Sequence, residues 1–234
     1  MDRLLWYIQE VVNMLTKVIP KSLKILEEAK LRFRNIGVAF SGGSDSLVVL
    51  DLTRMVLDDF PVIFVDTYNQ FKETYEYVEM VKKKWNLDLH VFRAEKNRVK
   101  ELLLDRNYTP EAIFECCKYH KIDPLLKGVS TLKLDALVVG IRRAEHEERA
   151  KETYISPRKD HYRVHPILDW SRDDVLDYIA FYNLPINPLY NKGYTSLGCV
   201  WCTKPNPDPT KHERLGRDQR RERIQKVLRE AGYT

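Results

Sequence analysis

Apolar residues open the chain at helical spacing: Leu4, Leu5, Ile8, Val11, Val12 and Leu15 share one face, interrupted by Glu10 and Asn13. That period predicts two amphipathic helices, residues 2–17 and 20–33, with Pro20 suited to a first helical turn. The texture then changes. Asn35-Ile36-Gly37-Val38-Ala39-Phe40 reads as a buried strand, followed by a glycine turn and a helix over 45–57. A second strand is expected at Val62–Asp66, a helix at Glu73–Trp85, and strands at Leu87–Phe92, Ala136–Ile141 and Tyr162–His165. Short β-rich runs separated by helices imply βαβ units, hence an α/β fold with a mostly parallel five-stranded sheet flanked by helices. In such sheets ligands sit beyond the carboxyl ends of the strands, and every motif below falls at that edge or just after it.

Composition narrows the picture only slightly. At 234 residues, with 44% hydrophobic and 31% charged positions, the chain can bury a full core without disulfides or metal. No apolar run reaches the roughly 18 to 20 residues of a membrane span, and the first helix resembles neither signal peptide nor anchor, so a cytoplasmic protein with no membrane partner is expected. The net charge is +5, and residues 204–234 contribute most of it, with nine Lys/Arg against five Asp/Glu. The Pro-rich run Lys204-Pro205-Asn206-Pro207-Asp208-Pro209 reads as a linker to this segment. Three parts follow: an N-terminal helical extension (1–34), a central α/β domain (35–203) and a basic helical tail (204–234). In the tail, Arg217, Arg220, Arg221 and Arg223 surround a narrow Ile224-Val227-Leu228 stripe. That arrangement suits an anionic partner such as nucleic acid; a solvated helix face is the plain alternative.

Ser41-Gly42-Gly43-Ser44-Asp45-Ser46 follows a strand and opens a helix. Glycines let the backbone approach phosphates closely, free N–H groups and the helix dipole supply positive potential, and three serines add hydroxyl donors. The Gly-Lys-Ser/Thr ending of a Walker loop is missing, so γ-phosphate transfer is not indicated. Asp45 is placed either to hold Mg²⁺ or to cap the helix. The motif resembles the PP-loop of the N-type ATP pyrophosphatases, a Rossmann-like adenine nucleotide alpha hydrolase fold. The resemblance implies ATP as a ligand, cut between its α- and β-phosphates, with Ser41, Asp45, Arg142 and Arg143 as the catalytic groups.

The resemblance extends over most of the chain. Val65-Asp66-Thr67-Tyr68-Asn69-Gln70-Phe71-Lys72-Glu73-Thr74 is similar to the strand-end segment of the adenylylsulfate and phosphoadenylylsulfate reductase superfamily, with Tyr68 where the family has glycine. Asp66 is placed to orient the adenosine or a metal, or simply to satisfy backbone amides. Gly140-Ile141-Arg142-Arg143-Ala144-Glu145-His146-Glu147-Glu148-Arg149-Ala150 resembles the family's Gly-x-Arg-Arg…Arg-Ala motif. Arg142, Arg143 and Arg149 are suited to a phosphate or sulfate, with pairing to Glu145, Glu147 and Glu148 as the alternative. Arg163–Trp170 and Asp173-Asp174-Val175 read as structural, with Asp169 and Ser171 capping the next helix and Trp170 in the core.

All four cysteines lie in two local pairs, Cys116-Cys117 and Cys199-Val200-Trp201-Cys202. This reads as a metal site, with zinc or free thiols as alternatives to iron. The vicinal pair with a Cys-x-x-Cys, together with Cys116-Cys117-Lys118…Pro124-Leu125 and Gly193-Tyr194-Thr195-Ser196-Leu197-Gly198-Cys199, resembles adenylylsulfate reductases. That implies a [4Fe-4S] cluster on Cys116, Cys117, Cys199 and Cys202, with Lys118 and Lys121 offsetting its charge. Two departures weigh against the reductase activity itself: no cysteine follows Cys202 to serve as the family's tail nucleophile, and the PP-loop is complete. The expectation is therefore ATP-driven adenylyl transfer serving sulfur transfer or thiolation, with a sulfur donor or electron carrier as partner and assembly as a homo-oligomer. The alternatives are an FMN adenylyltransferase like FAD synthetase, whose end resembles Gly193–Gly198 and Thr203–Pro207, a reductase, or a nucleotide-sensing cluster subunit.

Overall fold

The computed structural model describes residues 2–95 and 109–232. Residues 1 and 233–234 of the expected end segments, and the side chains of Leu4, Leu5, Ile8, Glu10 and Asn13, lie outside the described residues. One helix, α1, runs Asp2–Arg32 with Pro20 inside it, where two helices were expected. The face that continues through Ile25, Leu26 and Ala29 is buried on the body, and tertiary packing of that stripe outweighs the local break a proline offers. Ser22 fixes the contact, its Oγ donating to the Pro166 carbonyl at 2.7 Å and accepting from Trp170 Nε1 at 3.0 Å.

The α/β architecture is as the sequence predicts. Strands β1 (Ile36–Ala39), β2 (Val62–Asp66), β3 (Leu89–Arg93), β4 (Ala136–Val138), β5 (Ile155–Pro157) and β6 (Tyr162–Val164) form a sheet in the order β3-β2-β1-β4-β6-β5. Among the described residues it has six strands rather than five. The added β5 pairs antiparallel with β6 at the edge, and its three residues are too short to leave a periodic signal. The other pairings are parallel.

Helix α2 (Ser44–Arg54) is almost wholly buried against the sheet. Helix α3 (Lys72–Trp85) ends on Asn86 in the left-handed region, a common helix stop. Helices α4 (Pro110–Cys117) and α5 (Asp123–Thr131) follow, joined by a π-helical turn over Lys118–Ile122. After the short α6 (Glu147–Ala150) comes α7 (Arg172–Phe181), which begins with a capping box between Ser171 and Asp174. Asp169 does not cap it. Its carboxylate instead pairs with Lys21 at 2.7 Å and Arg143 at 2.8 Å. Trp170 is in the core as expected.

Chain order reverses between β1 and β4, so a crevice opens where their carboxyl ends diverge. Among the described residues no helix is long and apolar enough to cross a membrane.

The Pro-rich run is no linker. Lys204 N donates to the Gly216 carbonyl at 2.8 Å, Asn206 N to the Gly193 carbonyl at 2.9 Å, and Thr203 bridges Arg217. The tail helices α8 (Gln219–Arg223) and α9 (Gln225–Glu230) pack on the cysteine-bearing segment, where Leu228 is buried with Cys117 and Ile122.

Candidate functional site

The crevice holds a cleft of about 230 Å³ lined from three directions. Ser41, Gly43, Asp45 and Ser46 face it from the end of β1, Gly140 and Ile141 from the end of β4, and Thr67 and Gln70 from the end of β2. Two glycines make this possible. Gly42 has φ +79°, a backbone state that side chains resist, and it turns the chain from strand to helix. A β-carbon on Gly140 would lie 2.7 Å from the carbonyl of Asp45, so only glycine lets β4 approach the start of α2 this closely.

Within the loop, Ser41 N–H donates to Ser46 Oγ at 3.2 Å, and Ser46 Oγ donates to the Gly43 carbonyl at 2.9 Å. Asp45 does not cap α2; the N-cap residue is Gly43. Its carboxylate instead accepts from Arg142 Nε. Burial pushes the Asp45 carboxyl up, and Arg142 only partly offsets that.

The arginines divide in a way the motif does not foretell. Arg142 is wholly buried behind the loop, where Nη2 donates to both oxygens of Glu213 at 2.7 and 2.8 Å. It does not line the cleft, so the expected direct anion contact is corrected to a clamp between the PP-loop and the tail. Arg143 is turned away altogether, held by Asp169 and by the carbonyls of Ala150 and Glu152 at 2.7 and 2.6 Å. Arg149 does face the cleft and pairs with Glu145. Burial alone would raise the Glu145 carboxyl, but Arg149, Arg214 and Arg142 together hold it down at about 2. Asp66 is also occupied at the end of β2. It accepts from Tyr75 Oη at 2.6 Å, Arg93 Nε at 2.7 Å and the Tyr68 amide at 2.8 Å, and it does not line the cleft. Tyr68, standing where the family resemblance calls for glycine, has φ +55° and keeps the glycine-like turn at a steric cost.

Several cleft residues escaped the sequence reading. Tyr190 reaches the loop from a 3₁₀ turn over Pro188–Lys192, and Glu213, Arg214 and Arg217 arrive from the tail. Glu213 and Arg214 were unassigned polar residues in the segment read as a tail, Arg217 was read there only as part of a basic face, and Tyr190 lay unassigned within residues 35–203. The buried network of Glu145, Arg214 and Glu222 ties that segment down, with Arg214 Nε donating to Glu222 at 2.7 Å. The expected basic surface is halved in the process: Arg217 and Arg221 are buried, while Arg223 and Arg220, the latter paired with Asp218 at 2.8 Å, stay exposed.

Lys121, Thr67 and Gly198 also line the cleft, and Thr67 Oγ1 lies 3.5 Å from Cys199 Sγ. All four thiols are free. They stand close enough to feel one another: burial pushes Cys116 up to about 12, and Cys117, Cys199 and Cys202 all add to the rise. Burial also works against a Cys199 thiolate, but Lys121, a hydrogen bond with Thr67 Oγ1 at 3.5 Å, Arg217 and Arg221 outweigh it and bring that pKa down. Lys121 thus faces both cleft and sulfurs, while Lys118 is drawn off to Asp123 at 3.0 Å. Among the described residues no group of three or more His, Cys, Asp or Glu side chains is placed to hold a metal ion. The set is therefore not a closed single-ion cage. Four soft donors with cationic neighbours nonetheless match the chemistry of an iron–sulfur ligand set, which demands thiolates and compensating positive charge.

Residues 35–205 match the phosphoadenosine phosphosulfate reductase domain. The chain is 32% identical over 225 residues to a Bacillus subtilis protein named adenosine 5′-phosphosulfate reductase 2, covering 91% of this chain and 93% of that one. The fold is similar to a crystal structure of phosphoadenylyl-sulfate reductase from Candida auris in complex with phosphate, with a TM-score of 0.65 at 22% identity over 82% of this chain and 96% of that one. It is similar too to FMN adenylyltransferase of Candida glabrata in complex with ATP, with a TM-score of 0.65 at 24% identity over 86% and 68% of the respective chains.

Proposed function

The chain belongs to the phosphoadenosine phosphosulfate reductase domain family, and from that premise we propose that it binds adenylylsulfate or its 3′-phosphorylated form and reduces the sulfate beside an iron–sulfur cluster. One observation carries the reading. A single cleft runs from the PP-loop to Lys121, Thr67 and Gly198, which adjoin the four cysteines. A nucleotide lying along it points its anhydride toward the sulfurs. Arg149, Arg214, Arg217 and Lys121 give that path positive potential.

Cys116, Cys117, Cys199 and Cys202 would hold a [4Fe-4S] cluster, which when bound supplies electrostatic and redox tuning next to the substrate. With all four cysteines of the sequence so committed, the electrons come from an external dithiol carrier. One thiolate attacks the sulfate sulfur and expels AMP; the second attacks the resulting S-sulfonate, releasing sulfite and leaving a disulfide. The thiolate is the attacking form in each step. Lys121 and the arginines hold the sulfate in place and stabilise the AMP phosphate as it leaves.

A second reading is ATP cleavage to AMP and pyrophosphate in the service of sulfur transfer, and the complete Ser41–Ser46 sequence favours it. There Mg²⁺ would have to compete with Arg142 for Asp45. Anaerobically prepared protein distinguishes the two. Under the first reading it holds about four irons per chain and releases sulfite from adenylylsulfate with a dithiol carrier. ATP-dependent pyrophosphate exchange without sulfite release would reverse the choice, and stoichiometric zinc without iron would remove the cluster.

A further inference from the structure

The first amide of α2, well placed to greet a phosphate, is already in use. Ser44 N–H donates to the Tyr190 hydroxyl at 2.8 Å, and that hydroxyl donates onward to Ser44 Oγ at 3.1 Å. The turn that delivers the phenol is tied to the same loop. Asn187 caps it by accepting from Leu189 N at 3.1 Å, and its amide donates to the Gly42 carbonyl at 3.2 Å. Tyr190 Oη would lie 3.5 Å from a β-carbon on Gly43, so it stands over the second glycine of the loop. Burial and the nearby Asp45 carboxylate raise the phenol's pKa, which keeps it a neutral, fixed partner. Ser41 N–H is likewise satisfied within the loop, by Ser46 Oγ at 3.2 Å. A ligand at the loop must therefore work with fewer donors than the motif suggests.

That shortage weighs unequally on different ligands. A linked pair of phosphates needs donors on both tetrahedra, whereas one tetrahedral oxyanion needs only a few. Adenylylsulfate asks the loop for one such group, its second lying toward Lys121. ATP asks it for the β,γ pair.

We propose that Tyr190 is a specificity-determining residue: by occupying the Ser44 amide it restricts the PP-loop to one tetrahedral oxyanion and disfavours a pyrophosphate unit. The proposal rests on the reading of the cleft as an adenylylsulfate site, and its test uses inorganic anions so that binding is measured apart from turnover. Calorimetry of orthophosphate and pyrophosphate is compared between the wild-type protein and Tyr190→Phe, which keeps the ring and removes the hydroxyl. Freeing an amide for a charged acceptor should raise pyrophosphate affinity roughly tenfold while orthophosphate changes less than about twofold. An unchanged ratio, or an equal rise for both anions, overturns the proposal. A measurement on the wild-type chain guards against a misfolded variant: the Ser44 amide resonance should stay in place when pyrophosphate is added while that of Gly43 moves. A large Ser44 shift overturns the proposal as well. Binding of neither anion to either protein would overturn the loop as an anion site, and with it the functional reading beneath this one.

Discussion

The two walls of the cleft are built from opposite materials. The strand-end wall, with the PP-loop and Gly140, is rooted in apolar residues such as Val38, Leu47, Leu50 and Val138, all fully buried. The tail wall, with Glu213, Arg214 and Arg217, rests on helices of five and six residues held down largely by buried ion pairs. Apolar packing is tolerant of direction and insensitive to pH. A buried ionic lattice holds only while every partner is present, because a charge left alone loses hydration without compensation. Arg142 is where the walls meet, clamped between Asp45 of one and Glu213 of the other.

Breaking that junction should have the largest effect. Arg142→Ala leaves two facing carboxylates without their counter-ion, and we expect a loss of about 3–5 kcal/mol in denaturant unfolding. A loss under about 1 kcal/mol would mean the two walls are energetically independent.

Within the apolar wall, Leu50→Ala should cost about 2–5 kcal/mol through the cavity it opens, with one cooperative transition. Within the ionic wall, Glu222→Gln strips the carboxylate from Arg214 and Arg221 and should cost about 2 kcal/mol. Its signature is local: limited proteolysis should release the tail under conditions where the sheet remains protected. Simultaneous cleavage of both would show that the walls are one unit.

Acid separates the walls by a different route. Burial depresses His161 and His165 to about 4 from an ordinary 6.5. The folded state therefore resists protons that the unfolded chain accepts, and stability is lost as pH falls from 6.5 toward 4. Glu145 and Glu222 are held at about 2, below an ordinary 4.5, so the tail's ion pairs weaken only below 4.5. Thermal midpoints should thus fall in two stages, with the β5–β6 end of the sheet, where the two histidines flank β6, failing before the tail. A midpoint that stays constant down to pH 4.5 would contradict this order. The smallest expected effect is a gain: Tyr68→Gly relieves a left-handed backbone and should stabilise by about 1 kcal/mol. A loss there would show that Arg93, whose guanidinium stands 5.9 Å from the Tyr68 ring centre, earns more from that contact than the strain costs.

What could be read from the sequence follows the same division. The strands and the PP-loop announce themselves because periodicity and glycine placement are local properties. The pairing of β1 with β4 was not legible, because β2 and β3 lie between them in the chain and the order reverses there. The cysteine pairs were legible as a set because their spacing is distinctive. Arg142 and Arg143 were not separable. Adjacent in sequence and identical in chemistry, they part only because one points behind the loop and the other toward Asp169. Pro20 misled because helix propensity is local, while the stripe that keeps α1 whole is paid back only by the body it covers.

By itself, then, the sequence determined the α/β sheet, the glycine–serine loop at the end of β1 and the presence of four cysteines in two pairs. The tertiary structure alone decided that the supposed linker and tail form a wall of the cleft, that Lys121 lines the cleft close to the sulfurs, and that Tyr190 sits on the Ser44 amide. The reason is one of range. Hydrophobic period and glycine conformation are written within a few residues, whereas an ion pair or a donated hydrogen bond between residues 142 and 213, or 44 and 190, exists only once the chain has closed on itself.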